Sequence, residues 1–162
     1  MDKEGVIKRE DVVLYVNTSD TGTPEYNLAN KGILSASGSL NPENEEYQYI
    51  ADKRKTTVTK SLNPVMAVDA HRYNGDVVND YFYGIGEQQQ INKVVKIVRV
   101  DLAKPTTGTA ANAQLFAYKI GITDFDSGTG GEPLGFALEL TQEGDFVNGT
   151  FDLSTKAFTP ED

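Results

Sequence analysis

Residues 92–101 read NKVVKIVRVD, a β-branched run that breaks the usual strand alternation. Successive side chains of a strand point to opposite faces. Val94, Val98 and Val100 therefore share one face with Lys96, and Val95 and Ile97 share the other with Arg99 and Asp101. Apolar residues on both faces predict a central strand, covered by a helix on one side and a second sheet on the other.

The surrounding pattern is a series of short β-branched and aromatic runs cut by Gly and Pro, which predicts a mostly β chain. Residues 10–16 (EDVVLYV) and 65–71 (VMAVDAH) predict strands. Residues 17–45 are turn-rich and allow a short strand near Ile33. Residues 46–59 alternate well enough for a strand or an extended arm. One helix is expected over about 76–85, where Val77, Val78, Tyr81, Phe82 and Ile85 form a single stripe of 3.6-residue period. Asp76 is placed to cap its start, and Gly84 or Gly86 to end it. At about ten residues it is too short to be stable alone and needs a sheet beneath it.

Four β segments follow, at 93–102, 112–124, 133–141 and about 146–158. Asn148-Gly149 is a strong hairpin signal, but the TQEGD sequence at 141–145 offers a turn just before it. That earlier turn is favoured, leaving Gly149 inside a strand or bulge.

A length of 162 residues fits one domain, spanning 1–162. With no Cys, disulfide and thiolate chemistry are excluded. No apolar run reaches the ~18 residues of a membrane helix, so the subunit is expected not to insert in a membrane. The charged start MDKEGVIKRED has no signal-peptide core. The net charge of −9 is unevenly placed. Residues 105–162 hold two Lys against nine Asp or Glu, whereas residues 1–104 are close to neutral. Such a surface repels nucleic-acid backbones and anionic lipid.

Candidate chemistry is sparse, and no catalytic, cofactor or metal site is expected. His71 is the one histidine and sits in a strand-like segment, where a structural role is expected; no G-x-S-x-G elbow accompanies it. Asp124, Asp126 and Gly128 faintly suggest a calcium loop, but its twelfth position falls on Gly135 rather than Glu. A glycine-rich hairpin loop is the better reading. The basic cluster DKRKTTVTK at 52–60 follows Tyr47 and Tyr49, and NPENEE nearly cancels its charge. It reads as a solvated loop or one that meets an acidic neighbour.

The ordered series goes further than any single motif. EYQYIADKRKTTVTKSLNPVMAVDAHRYNGDVVNDYFY (46–83), KIVRVD (96–101), AQLFAYKIGITDFDSGTGGEPLGFALELTQEGDFVNGTFD (113–152) and GTFDLSTKAFTP (149–160) together resemble major tail tube proteins of long-tailed, siphovirus-like bacteriophages and prophages of Gram-positive bacteria. The first 45 residues match only through EDVVLYV. The resemblance implies a β-sandwich or barrel-like core with one flanking helix and extended loops or arms. It implies a structural virion protein, not an enzyme, made in the host bacterial cytoplasm and located in the virion tail. Its subunits would join into rings, generally of six, that stack into a tube. The tube would hold the tape-measure protein, meet tail terminator and distal tail proteins, and pass DNA at genome ejection without binding it specifically. On that reading Tyr47, Tyr49, Arg54, Lys55 and Arg99 are candidates for self-assembly contacts, and Asp124, Asp126, Glu139, Glu143 and Asp152 for the channel surface. The competing expectation is a β-sandwich adhesion module with a tyrosine platform for sugars, against which stands the absence of Trp.

Overall fold

The central strand is covered on one face at Val95 and Ile97 and on the other only at Val98 and Val100, since Val94 on that second face is about half exposed. In a computed structural model that describes residues 2–162, it runs from Lys93 to Pro105 as β7. The other strands are β1 (Val12–Asn17), β2 (Tyr26–Leu28), β3 (Ile33–Ser39), β4 (Pro42–Tyr47), β5 (Thr56–Leu62), β6 (Val65–His71), β8 (Ala110–Ser127), β9 (Gly135–Gln142), β10 (Val147–Asp152) and β11 (Ala157–Pro160). A 3-10 turn at Arg9–Asp11 precedes β1, and the helix α1 spans Val77–Glu87. About 53% of the chain is strand, and the main sheet curls into a half-barrel.

The main sheet runs β2-β1-β7-β8-β9-β6-β3. Its branch point is the long strand β8. Residues Ala110–Leu115 pair with β10, and residues from Tyr118 onward pair with β9. One 18-residue strand thereby supports two differently directed halves.

Each half has its own core. Val95 and Ile97 point into the larger one, where Val78, Phe82 and Ile85 of α1 close over Val16, Tyr118, Ile120, Leu138 and Leu140. Val98 and Val100, both 0% exposed, point into the smaller one. There Phe151 lies 4.5 Å from the Tyr15 ring and 5.9 Å from Tyr26, centroid to centroid. The cover on this side is the sheet's own continuation, the β10–β11 hairpin and the β1–β2 edge, not a separate second sheet.

Asp76 caps α1 by accepting a 3.0 Å bond from the Asn79 backbone N–H. The helix does not stop at its glycines; Gly84 and Gly86 lie inside it. Gly86 is there for close packing, since a Cβ would sit 2.6 Å from the Phe125 ring. Val77 of the expected stripe is about half exposed, and Asn79, outside the stripe, is 0% exposed. Its amide nitrogen donates to the His71 carbonyl at 2.8 Å. Its oxygen accepts from the Tyr73 N–H at 2.9 Å and from Arg72 at 3.1 Å. This one side chain ties α1 to the end of β6.

The turn between β9 and β10 falls at 143–146, so Gly149 lies within β10, where it is buried against the Thr159 backbone of β11. The single strand expected over 146–158 is two strands, because Asp152 folds the chain back. Its carboxylate accepts from the Ser154 N–H (2.8 Å) and hydroxyl (2.7 Å) and from Thr109 Oγ1 (2.7 Å).

Candidate assembly interface

β4 and β5 pair only with each other and form a two-stranded arm. β3 feeds directly into β4 and β5 into β6, so the arm extends the β3–β6 pair beyond the body. Asn41 takes a positive φ of 43° at the junction, and the Asn63 N–H bonds the Leu40 carbonyl at 3.0 Å. Every strand residue of the arm except Glu45 is exposed. Thr56, Thr57 and Thr59 give β5 its strand propensity, but there is no face to bury. An isolated hairpin of this size is marginal in water.

The arm's charge is graded. Glu43, Glu45 and Glu46 lie along β4, while Lys53, Arg54 and Lys55 crowd the tip with Asp52. Lys60 bonds Glu45 at 2.8 Å and, with Tyr47, holds that carboxyl below its ordinary range. Lys55 reaches Glu46 only at 3.5 Å. Among the described residues, Lys53 and Arg54 have no ion-pair partner. Tyr49 and Ile50 at the turn are exposed, Ile50 completely at 106%. Tyr47, Tyr49, Arg54 and Lys55 are thus brought together on one projecting element.

Arg99 lies elsewhere. On the sheet face opposite the smaller core it lines a polar groove of about 290 Å³ with Asp101, Asn112, Gln114 and Asn148. No carboxylate among the described residues pairs with it. The five carboxylate candidates do not form one array. Glu139 projects from the sheet face away from α1, beside Ala67 and Gly121. Glu143 pairs with Lys119 at 3.1 Å. Asp124 and Asp126 stand at the β8–β9 turn, where Asp126 accepts a 2.6 Å bond from the Tyr83 hydroxyl. Asp152 is engaged in its turn, and those hydrogen bonds pull its pKa from 3.8 to about 2.

One surface carries no signal in the sequence. An apolar slot of about 440 Å³ opens between the β1 and β3 edges, lined by Leu14, Leu34, Val68, Phe82, Ile97 and Leu140. It exists because the half-barrel does not close, a consequence of long-range pairing. His71 bonds through its backbone to Gly32 and Asn79. Among the described residues no three His, Asp or Glu side chains are grouped to hold a metal ion.

The architecture defines a class: a half-barrel β subunit with one docked helix and a projecting two-stranded arm. Two solved structures are similar to this chain in overall fold. One is a chain from the tail of an empty gene transfer agent particle, obtained by helical refinement with C6 symmetry, at TM-score 0.57 and 9% identity, covering 95% of this chain and 99% of that one. The other is a chain of the native gene transfer agent virion, at TM-score 0.58 and 9% identity, with the same coverage. At such identity the likeness is one of fold, and it runs the length of both chains. No protein-family profile and no curated protein sequence matches the chain.

Proposed function

We propose that this protein is the structural subunit of a phage-like tail tube, assembling with its own copies into stacked rings around a channel. The observation that carries the reading is the arm: its strands Pro42–Tyr47 and Thr56–Leu62 bury no apolar side chain within their own chain, and the arm presents aromatic, apolar and basic side chains outward. A segment of that kind reaches a full complement of contacts only in an assembly. The tail chain similar in fold comes from a tail refined helically with C6 symmetry, which favours rings of six here. The sheet face away from α1 suits a channel wall. It carries Ser35, Ser37, Ala67, Asp69, Gly121 and Glu139; of its two lysines, Lys119 is matched by Glu143 and Lys96 stands exposed beside Ala117. Phosphates would meet no dense array of cations there, so DNA would pass at ejection without being held. The tail is of the siphovirus-like kind, with a tape-measure protein inside and terminator and distal proteins at its ends. Arg99, unpaired in the polar groove, would meet a neighbour within the ring.

Negative-stain electron microscopy of concentrated protein, alone and seeded with tail fragments, tests this reading. Rings or tubes of constant diameter are expected. Arg99→Glu is expected to keep the monomer's unfolding temperature and reduce assembly. A protein that stays monomeric in both conditions and binds glycans would instead be the adhesion module.

A further inference from the structure

Resting on the tube reading, we infer where the arm docks: the tip of one copy seats on the β8–β9 end of a second copy, so that copies join head to tail. Three observations carry the inference.

The first is direction. The arm leaves the body where β6 begins, at Val65, which pairs with Thr141, itself opposite Lys119. The β8–β9 turn lies where β6 ends, at His71, which pairs with Gly135, itself opposite Ser127. The two features therefore occupy opposite ends of the same strands, separated by the roughly 20 Å that seven strand residues span. A copy translated along the strand axis brings its arm tip to its neighbour's β8–β9 end. Such a contact joins different surfaces of the two copies, and without rotational closure it propagates into an open stack.

The second is chemistry. The tip offers Lys53 and Arg54, which have no ion-pair partner among the described residues, beside exposed Tyr49 and Ile50. The β8–β9 segment 123–135 contains Asp124, Asp126 and Glu132 and no Lys or Arg. Asp124 and Glu132 have no ion-pair partner among the described residues. Of the cations nearby, Arg72 is already taken by Asp80 at 2.5 Å, and Lys31 lies over the Tyr73 ring at 5.4 Å from its centroid.

The third is apolar surface at that same end. Phe125 stacks on Tyr83 with centroids 4.9 Å apart and keeps an exposed edge, and Leu134 and Tyr73 are exposed beside it. The acidic turn at 143–146, with exposed Phe146, is the rival seat. It lies at the arm's own end of the body, and Lys119 already neutralises Glu143.

The chain has no cysteine, so introduced pairs report without background. A chain carrying both Ile50→Cys and Leu134→Cys, oxidised under native conditions at low salt, is expected to give a ladder of disulfide-linked dimers, trimers and higher species. Either single variant can give only dimers. Lys53→Glu with Arg54→Glu should reduce the ladder about tenfold, and adding Asp124→Lys with Glu132→Lys should restore it. An absent ladder, one indifferent to both charge reversals, or a stronger one from Ile50→Cys with Phe146→Cys overturns the inference. Tubes seen by microscopy without the 50–134 linkage would sink this contact and leave the tube reading standing. Neither tubes nor linkage would sink both.

Discussion

β7 and the β4–β5 arm are both strands, yet they stand at opposite limits. β7 buries Val95 and Ile97 on one face and Val98 and Val100 on the other. The arm buries no apolar side chain on either face. Burial of apolar surface supplies about 25 cal/mol per Å², so the monomer's stability is concentrated around β7 and almost none of it resides in the arm. The lesson is a division of labour: the body folds by itself, and the arm is completed by contact with something else.

The difference can be broken most severely at β7. Val98→Asp places a charge in the smaller core with no partner, at a cost on the order of 5 kcal/mol, comparable with the whole stability of a small domain. The expected result is loss of the cooperative unfolding transition and of near-UV circular dichroism. Asn79→Ala should come next. It strips partners from the His71 carbonyl and the Tyr73 N–H, both held by that side chain, and should cost about 3 kcal/mol. Thermal denaturation should show a drop of roughly 10 °C.

A smaller effect is expected at Asp152, and it depends on pH. Its pKa is depressed from 3.8 to about 2 in the fold, so its stabilising contribution is present above pH 3.8 and disappears as pH falls through about 2. Asp152→Asn should therefore lower the melting temperature at pH 6 and make little difference near pH 2. An equal change at both pH values would show that the turn does not depend on the carboxylate. Ile50→Ser at the arm tip should lie at the bottom of the scale, leaving the monomer's melting temperature within about 1 °C because that side chain is fully exposed.

Much of the body was legible in the chain. The two-faced pattern of NKVVKIVRVD led to a central strand with two covers, and VMAVDAH maps onto β6 residue for residue. The helix was visible from its stripe and its Asp76 cap. Its end was not, because Gly86 serves a close approach to Phe125, distant in sequence, rather than a stop. The split of 146–158 into two strands was hidden for a similar reason. Asp152 acts through hydrogen bonds to Ser154 and Thr109, and a lone aspartate does not announce a turn without them. Residues 46–59 read as one strand or extended arm, whereas the chain turns back at 48–55 and pairs β4 with β5, a hairpin that no Asn-Gly or Asp-Gly signal marks. The slot between β1 and β3 was not, since it arises where two distant strands fail to meet.

Amide hydrogen exchange, read residue by residue in the monomer and in assembled material, tests the division between body and arm most directly. The account predicts that in the monomer the β7 amides exchange only by global unfolding while those of residues 42–62 exchange orders of magnitude faster. On assembly the arm should become protected to a level near that of β7. Arm amides as protected as β7 in the monomer, or still unprotected in the assembly, would contradict it.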